Sequence, residues 1–384
     1  MTVRLPCLLC LAPWMLLGVG CQPSEGGKGL EVGTPDGGGA DAGVSCLELP
    51  HHPQLGTLQL QPGFTIAEAV ALPQGLTALT AVPRHGGFDL YGVRGTDKSL
   101  HALGTWPHLT LGDTPLQYVV APEDRTRTVF LSGFLVNDGR RLLTGYIRSG
   151  ASGDGRVLVH DLDDSTRSHY VPAPGNTSAA AGASAFLVNG MGLEALGAPG
   201  DEAAIYALST GSSPFQAVKL ALFEEAWAPA SGRSAMTANG IALFGYLSAW
   251  DEQEHLHAVP PSVHEAALAH GTPFRLADWP EVHAGSSEGL SVAGFGDGVA
   301  VHRTRMSESS GTVETLDVIR IPLTLGSGTE PPLRVGPPVP VLVSPDACTQ
   351  VGFLVPMGQD LLVGVSDSAG GRLVRVQGEP PASP

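Results

Sequence analysis

Few residues of this chain stand in a spacing that known chemistry would use. Gly285-Ser286-Ser287-Glu288-Gly289 has the Gly-x-Ser-x-Gly form of a nucleophile elbow. That device needs a buried strand before the serine and a helix after it, so that the hydroxyl is presented at a helix start. Here residues 290–293 read as a second strand, and the only later histidine is His302, with Asp297 as the intervening acid. The context argues against a serine hydrolase. His255 and His257 alternate by two, which places both on one side of a strand beside Asp251, Glu252 and Glu254. Such a set could hold a divalent cation, but it equally forms the polar face of an outer strand. His264-Glu265 begins a zincin motif, yet Leu268 stands where the second histidine must be. The acidic run Asp161, Asp163, Asp164 lacks the glycine and closing glutamate of a calcium loop and fits a turn. No phosphate-binding loop, dinucleotide fingerprint or Cys-x-x-Cys is present, so no catalytic residue, metal or cofactor is expected from motifs.

Any such residue would be positioned by strands, and the strands repeat. Ala81-Val-Pro-Arg-His-Gly-Gly-Phe-Asp-Leu-Tyr-Gly-Val93 and Phe134-Leu-Val-Asn-Asp-Gly-Arg-Arg-Leu-Leu-Thr-Gly-Tyr146 are each an apolar strand, a turn and a second apolar strand carrying a glycine. The pattern recurs at 186–197, 236–245, 291–300 and 353–364. A third strand follows each hairpin, at 99–103, 156–160, 204–208, 254–258, 316–321 and 372–376. A weaker fourth follows five of them, at 116–120, 168–171, 215–222, 274–276 and 340–343. The sixth copy runs instead into residues 378–384, read as a disordered tail.

Four antiparallel strands repeated about every 50 residues resemble a β-propeller, whose blades bury their faces only against neighbours. The expected fold is all-β: six four-stranded blades over 46–377, closed by an N-terminal strand that completes the last blade. The alternating stretch Thr57-Leu-Gln-Leu-Gln61 is the candidate for that strand, to pair beside Leu373. A seventh blade between Met306 and Pro340 and a tandem β-sandwich are the alternatives. The Trp-Asp pair of WD repeats is absent from the expected strand ends, and the double glycine of kelch repeats does not recur from hairpin to hairpin, so no blade family is implied.

The first twenty residues have a short basic start, an apolar run to Val19 and a small residue, Gly20, before Cys21, which reads as a signal peptide. Leu17-Gly18-Val19-Gly20-Cys21 resembles the lipobox of bacterial lipoproteins, with Gly18 departing from the aliphatic residue usual there. The resemblance implies lipidation of Cys21, with 21–45 as a Gly-rich linker, and Gln22 after the cysteine implies the outer membrane. Beyond Val19 no apolar run reaches spanning length. With Cys7 and Cys10 removed and Cys21 lipidated, Cys46 and Cys348 remain, and an even pair in an exported protein reads as a disulfide. A net charge of −16 argues against nucleic-acid binding, which needs clustered Lys and Arg.

In such a ring, the turns between second and third strands and the loops between blades share one face, where a ligand would bind. The strand map gives that face Arg94, Asp97, Arg148, Trp227, Arg233, Trp250, Asp251, His283, Arg303 and Asp367 as candidates, with Arg125, Arg127, Glu288 and Arg305 nearby. Tryptophans could stack on a sugar, and arginines could hold a carboxylate or phosphate. The functional expectation is a monomeric, non-catalytic cell-envelope lipoprotein, attached to the membrane and facing periplasm or cell surface, that binds a protein or glycan. A propeller hydrolase or lyase and a structural part of an envelope complex are the alternatives.

Overall fold

The computed structural model describes residues 46, 49–149, 155–173, 178–182, 185–191, 203–209, 217–223, 227–248, 250–251, 253–286, 291–306, 313–327, 330–344 and 348–378. Two strands near the start, β1 (Gln59–Leu60) and β2 (Phe64–Ala71), precede the repeats. Blade one is β3 (Leu76–Arg84), β4 (Gly87–Arg94), β5 (Ser99–Thr105) and β6 (Gln117–Tyr118). Blade two is β7 (Val129–Asn137), β8 (Arg141–Arg148), β9 (Gly155–Asp161) and β10 (His169–Ala173). Blade three is β11 (Ser178–Ala181), β12 (Ala185–Met191), β13 (Ala203–Ser209) and β14 (Ala217–Leu222). Blade four is β15 (Trp227–Met236), β16 (Ala242–Ser248) and β17 (Gln253–Val259). After it come α1 (Pro261–His270) and β18 (Phe274–Arg275), and the blade ends with β19 (Glu281–Ser286). Blade five is β20 (Ser291–Phe295), β21 (Gly298–Met306), β22 (Val313–Leu325) and β24 (Val339–Ser344), with β23 (Leu333–Val335) folded back on the long β22. Blade six is β25 (Gln350–Met357), β26 (Asp360–Asp367), β27 (Gly370–Gly378) and, as its outer strand, β2.

Six separate sheets result, each built on four antiparallel strands, and the first strand of each abuts the first strand of the next around a closed cycle, β25 meeting β3. The fold is a six-bladed β-propeller. Side chains alternate across each strand, so a central strand buries alternate residues against opposite neighbours. Leu361, Val363 and Val365 of β26 pack toward blade five, while Leu362 between them packs toward blade one. Val299 and Val301 of β21 face blade four, and Ala300 faces blade six. Each blade interface thus owns one apolar cluster.

The glycine that recurs in the second strands answers a distortion of the first. Strand one carries a register shift opposite it in blades two, four and six, between Leu131 and Leu135, Pro229 and Ser234, and Val351 and Phe353. A Cβ at Gly364 would lie 2.7 Å from Phe353 Cδ2, and one at Gly245 would overlap the Cβ of Arg233. Only glycine leaves room for the bulged inner strand.

The ring closes by the expected principle but with another strand. Gln59 and Leu60 pair with Val343 and Leu342 on the edge of blade five, and it is β2 that lies beside β27, Val70 opposite Leu373. The stretch 57–61 alternates suitably, yet it is short, whereas β2 offers eight residues to the open edge. Trp106 Nε1 donates to Glu68 Oε2 at 2.6 Å, tying the closing strand to blade one as well. The Cys46–Cys348 disulfide forms, with Cα atoms 5.6 Å apart across a sequence separation of 302, and pins the incoming chain to the loop between blades five and six.

Two further placements differ from expectation. The run Phe186-Leu-Val-Asn-Gly is the second strand of blade three, not the first, and Gly197 lies outside the described residues. The first strand is Ser-Ala-Ala-Ala, too small in side chain to register as a strand in sequence. Residues Phe274 and Arg275 do not complete blade four. They run parallel to Ala221 and Leu222 as a fifth strand on blade three, and β19 takes the outer place in blade four. The α1–β18 insertion therefore buckles blade four to blade three. The long interval at 306–340 holds the extended β22 and its β23 flap, and no seventh sheet occurs among the described residues.

Reducing the disulfide reopens one of the two closures, so the denaturation midpoint should fall in reductant, by an amount equivalent to at most about 5 kcal/mol. An unchanged midpoint in the Cys46→Ser, Cys348→Ser double variant would contradict this role.

Candidate functional site

Alternating strand direction places the ends of second strands, the starts of third strands and the interblade loops on one face, the loop face. There, the candidate arginines are already engaged within their own blades. Arg94, at the end of β4, is paired with Asp97 in the next turn, and Asp97 accepts from Ser99 Oγ at 2.5 Å. The Arg94 hydrogen bond first, then that of Ser99, hold the Asp97 carboxyl down to about 2 against the opposing effect of burial. Ser99 Oγ also meets His101 Nε2 at 2.7 Å. This Asp–Ser–His order is not a catalytic triad: the carboxylate contacts the serine instead of orienting the imidazole, and Ser99 and His101 are fully buried.

In blade two, Arg148 donates toward Asp124 Oδ2 at 2.9 Å, and Tyr146 donates its hydroxyl to the same oxygen at 2.6 Å. Arg156 and Arg127 approach the same carboxylate at 3.5 and 3.6 Å. Burial alone would raise the Asp124 carboxyl; the bonds from Tyr146 and Arg148 outweigh it and keep Asp124 below its ordinary value. The Tyr146 phenol is held above its ordinary value by burial and by that carboxylate. Asp124 sits in the loop between blades one and two, so its ion pairs fasten that loop to strands of blade two. Arg125 caps the Tyr118 ring at 4.4 Å.

In blade four Arg233 Nε lies 2.5 Å from Glu254 Oε2. Burial pushes the Glu254 carboxyl up, and the Arg233 pair offsets only part of that. In blade six Asp367 takes a two-pronged contact from Arg372 at 3.0 and 2.6 Å, which draws its carboxyl below the ordinary value. Arg94, Arg148 and Arg233 are thus structural partners of carboxylates before they are ligand groups.

The remaining candidates are dispersed. His283 lies in β19 and Arg303 in β21, so both are strand residues and not loop residues, as their cross-strand partners Leu256 and Asp317 require. Trp250, in the turn after β16, is 84% exposed. The side chains of Trp227 and Arg305, and residue Glu288 with Ser287 and Glu252, lie outside the described residues. Of the elbow sequence, Gly285 and Ser286 end β19, and the next described element is the strand β20, where the elbow would need a helix. Asp297 pairs with Arg320, so it does not serve His302 as the acid of a triad.

His255 and His257 do not converge on a cation position. His255 Nδ1 meets Glu281 Oε2 at 2.6 Å and its Nε2 meets Asp251 Oδ2 at 3.0 Å, while the ring stacks on Tyr246 at 5.1 Å. His257 Nδ1 is bonded to the Trp279 carbonyl at 2.7 Å. Among the described residues no group of three His, Cys, Asp or Glu is arranged to hold a metal ion. His264 lies on α1 with Nε2 3.0 Å from the Gly240 carbonyl. Asp161 Oδ1 accepts from the backbone N–H of Asp163 and Asp164, the turn role expected of that run. Asp124, Tyr146, Arg156, Glu281 and Arg372 were not singled out in sequence. Most of their partners lie more than 20 residues away, as Arg156 to Asp124, Tyr146 to Asp124 and Glu281 to His255, and no local spacing marks them.

No protein family and no curated protein sequence matches the chain. Among solved structures it is similar to the PQQ-bound aldose sugar dehydrogenase of Streptomyces coelicolor, at 15% identity over 82% of this chain and 97% of that one, with a TM-score of 0.42. It is also similar to the fungal lectin of Aleuria aurantia, itself a six-bladed β-propeller, at 13% identity over 80% and 96%, with a TM-score of 0.37. A third is prolyl oligopeptidase B from Galerina marginata, at 9% identity over 74% of this chain and 37% of that one, with a TM-score of 0.38. Likeness at this level carries no functional argument, and the fold rests on the strand pairing itself.

A neutral imidazole donates from one nitrogen only, so bonds to two carboxylates require the imidazolium. Burial opposes that form, and the bonds to Glu281 and Asp251 outweigh it and raise the His255 pKa. A raised folded pKa stabilises below the unfolded value, about 6.5, and that stability is lost as pH rises through the folded pKa. Thermal stability should therefore decline with rising pH over that window, and Glu281→Gln should flatten the decline. An unchanged pH profile in Glu281→Gln would contradict the assignment.

Proposed function

We propose that the protein is a cell-envelope lipoprotein, anchored through Cys21, whose propeller is a binding module for a protein or glycan and not an enzyme. The observation that carries the non-catalytic reading is the neutrality of the channel wall. The six first strands, β3, β7, β11, β15, β20 and β25, contain only two ionisable residues, Arg84 and Arg233. Arg84 lies 3.6 Å from Asp163, and Arg233 is paired with Glu254. General acid–base or nucleophilic catalysis at the ring centre needs titratable groups there, and these strands supply none that is uncommitted to a carboxylate. The anchor reading is supported by the lipobox-like residues before Cys21 and by a disulfide, which suits an oxidising, exported setting. Gln22 in place of Asp after the cysteine supports attachment to the outer membrane.

Radiolabelled palmitate should enter the wild type and not Cys21→Ala; equal labelling would contradict the anchor. The purified protein should turn over no ester, peptide or glycoside from a substrate panel. Turnover that disappears on changing a loop-face ionisable residue would overturn the binding-module reading.

A further inference from the structure

The chain enters the propeller on the loop face. Cys348 lies in the loop between β24 and β25, Arg372 Nε donates to the Gln54 carbonyl at 3.1 Å, and the Thr57 amide donates to Thr349 Oγ1 at 2.8 Å. The same face carries exposed apolar side chains. Trp250 stands at the β16–β17 turn with Leu247 just before it, Tyr118 ends β6, and Phe130, 52% exposed, begins β7. We propose that this face of the ring lies against the bilayer that holds the lipid of Cys21, with Trp250 seated at the membrane interface. The proposal rests on the lipoprotein reading.

Three observations favour a lipid surface over a small ligand. Tyr118, Phe130 and Trp250 belong to blades one, two and four, on an outer strand, an inner strand and a turn respectively, so they are spread over the face and do not line one pocket. The tether ends on that rim, so lipidation of Cys21 confines this face, more than the opposite one, to the neighbourhood of the bilayer. And Trp250 is exposed on a braced turn: its amide donates to Ser248 Oγ at 3.2 Å, and Asp251 beside it accepts from the Gln253 amide at 3.1 Å and meets His255. An indole combines a broad apolar ring with one N–H donor, the combination that settles at the boundary between headgroups and acyl chains. With a net charge of −16, attraction to anionic headgroups is not the driving force, so the contact is apolar and zwitterionic lipid is the appropriate probe.

The lipidated full chain is reconstituted in phosphatidylcholine vesicles with ordinary or brominated acyl chains, and the Trp250 emission is taken as the difference between wild type and Trp250→Phe. Docking predicts that brominated chains quench that difference at least twofold, unaffected by high salt. A protein that floats with the vesicles while its Trp250 emission is quenched by aqueous acrylamide and not by brominated lipid would overturn the docked face and leave the anchor standing. Failure of the wild type to float, as for Cys21→Ala, would overturn the anchor and the docking with it.

Discussion

A ring of sheets has one seam, and everything else in this molecule depends on how that seam is held. Each blade presents two apolar faces and can cover them only with its neighbours, so an open ring would leave the face of blade one and the face of blade six in water. Pairing of β2 along β27 removes that exposure. It sets Phe64 into the core shared by blades five and six and Val70 against the core shared by blades six and one. Buried apolar area contributes roughly 25 cal/mol per Å², so two uncovered blade faces would cost more than the net stability of an ordinary domain. β1 on blade five and the Cys46–Cys348 bond fix the approach to β2, so its register is set before it reaches the open edge.

The same economy governs charge. Arginines at strand ends are matched to carboxylates one turn or one strand away, as Arg94 with Asp97, Arg148 with Asp124 and Arg372 with Asp367. Such pairs fasten turns and interblade loops to strands, a task that needs direction more than net energy. Their cost is that they occupy the groups a loop-face ligand site would use. The inner strands carry only Arg84 and Arg233 as ionisable residues, and both lie against carboxylates.

The sequence made the strands legible where a large apolar residue alternates with a polar one. The third strands, both of whose faces are buried, are legible to within two residues at each end in five blades, while that of blade five extends well past the expected 316–321 to Val313–Leu325. The first strands were harder. β11 is Ser-Ala-Ala-Ala, and the Asn-Gly pair read as a turn at 189–190 continues β12, where Asn189 Nδ2 donates to the Gly245 carbonyl of the next blade at 2.7 Å. A turn signal and an interblade bond use the same residue type, and only the packed neighbour decides between them. The closing strand was misplaced by a few residues because 57–61 and 64–71 both fit an edge, and local pattern does not say which edge is open. Of the candidate site, the loop-face positions of Arg94, Asp97, Trp250 and Asp367 are legible from the strand map, but the pairing of Arg94 with Asp97 and of Arg372 with Asp367, which depends on side-chain packing, is not.

Hydrogen exchange of the backbone amides tests the closed ring most directly. If β2 is an integral outer strand of blade six, amides of 64–71 bonded to β27 exchange only with the subglobal or global opening that also exposes β26 and β27. Rapid exchange across 64–71 while 361–376 stays protected would mean that the seam is held by something other than this strand.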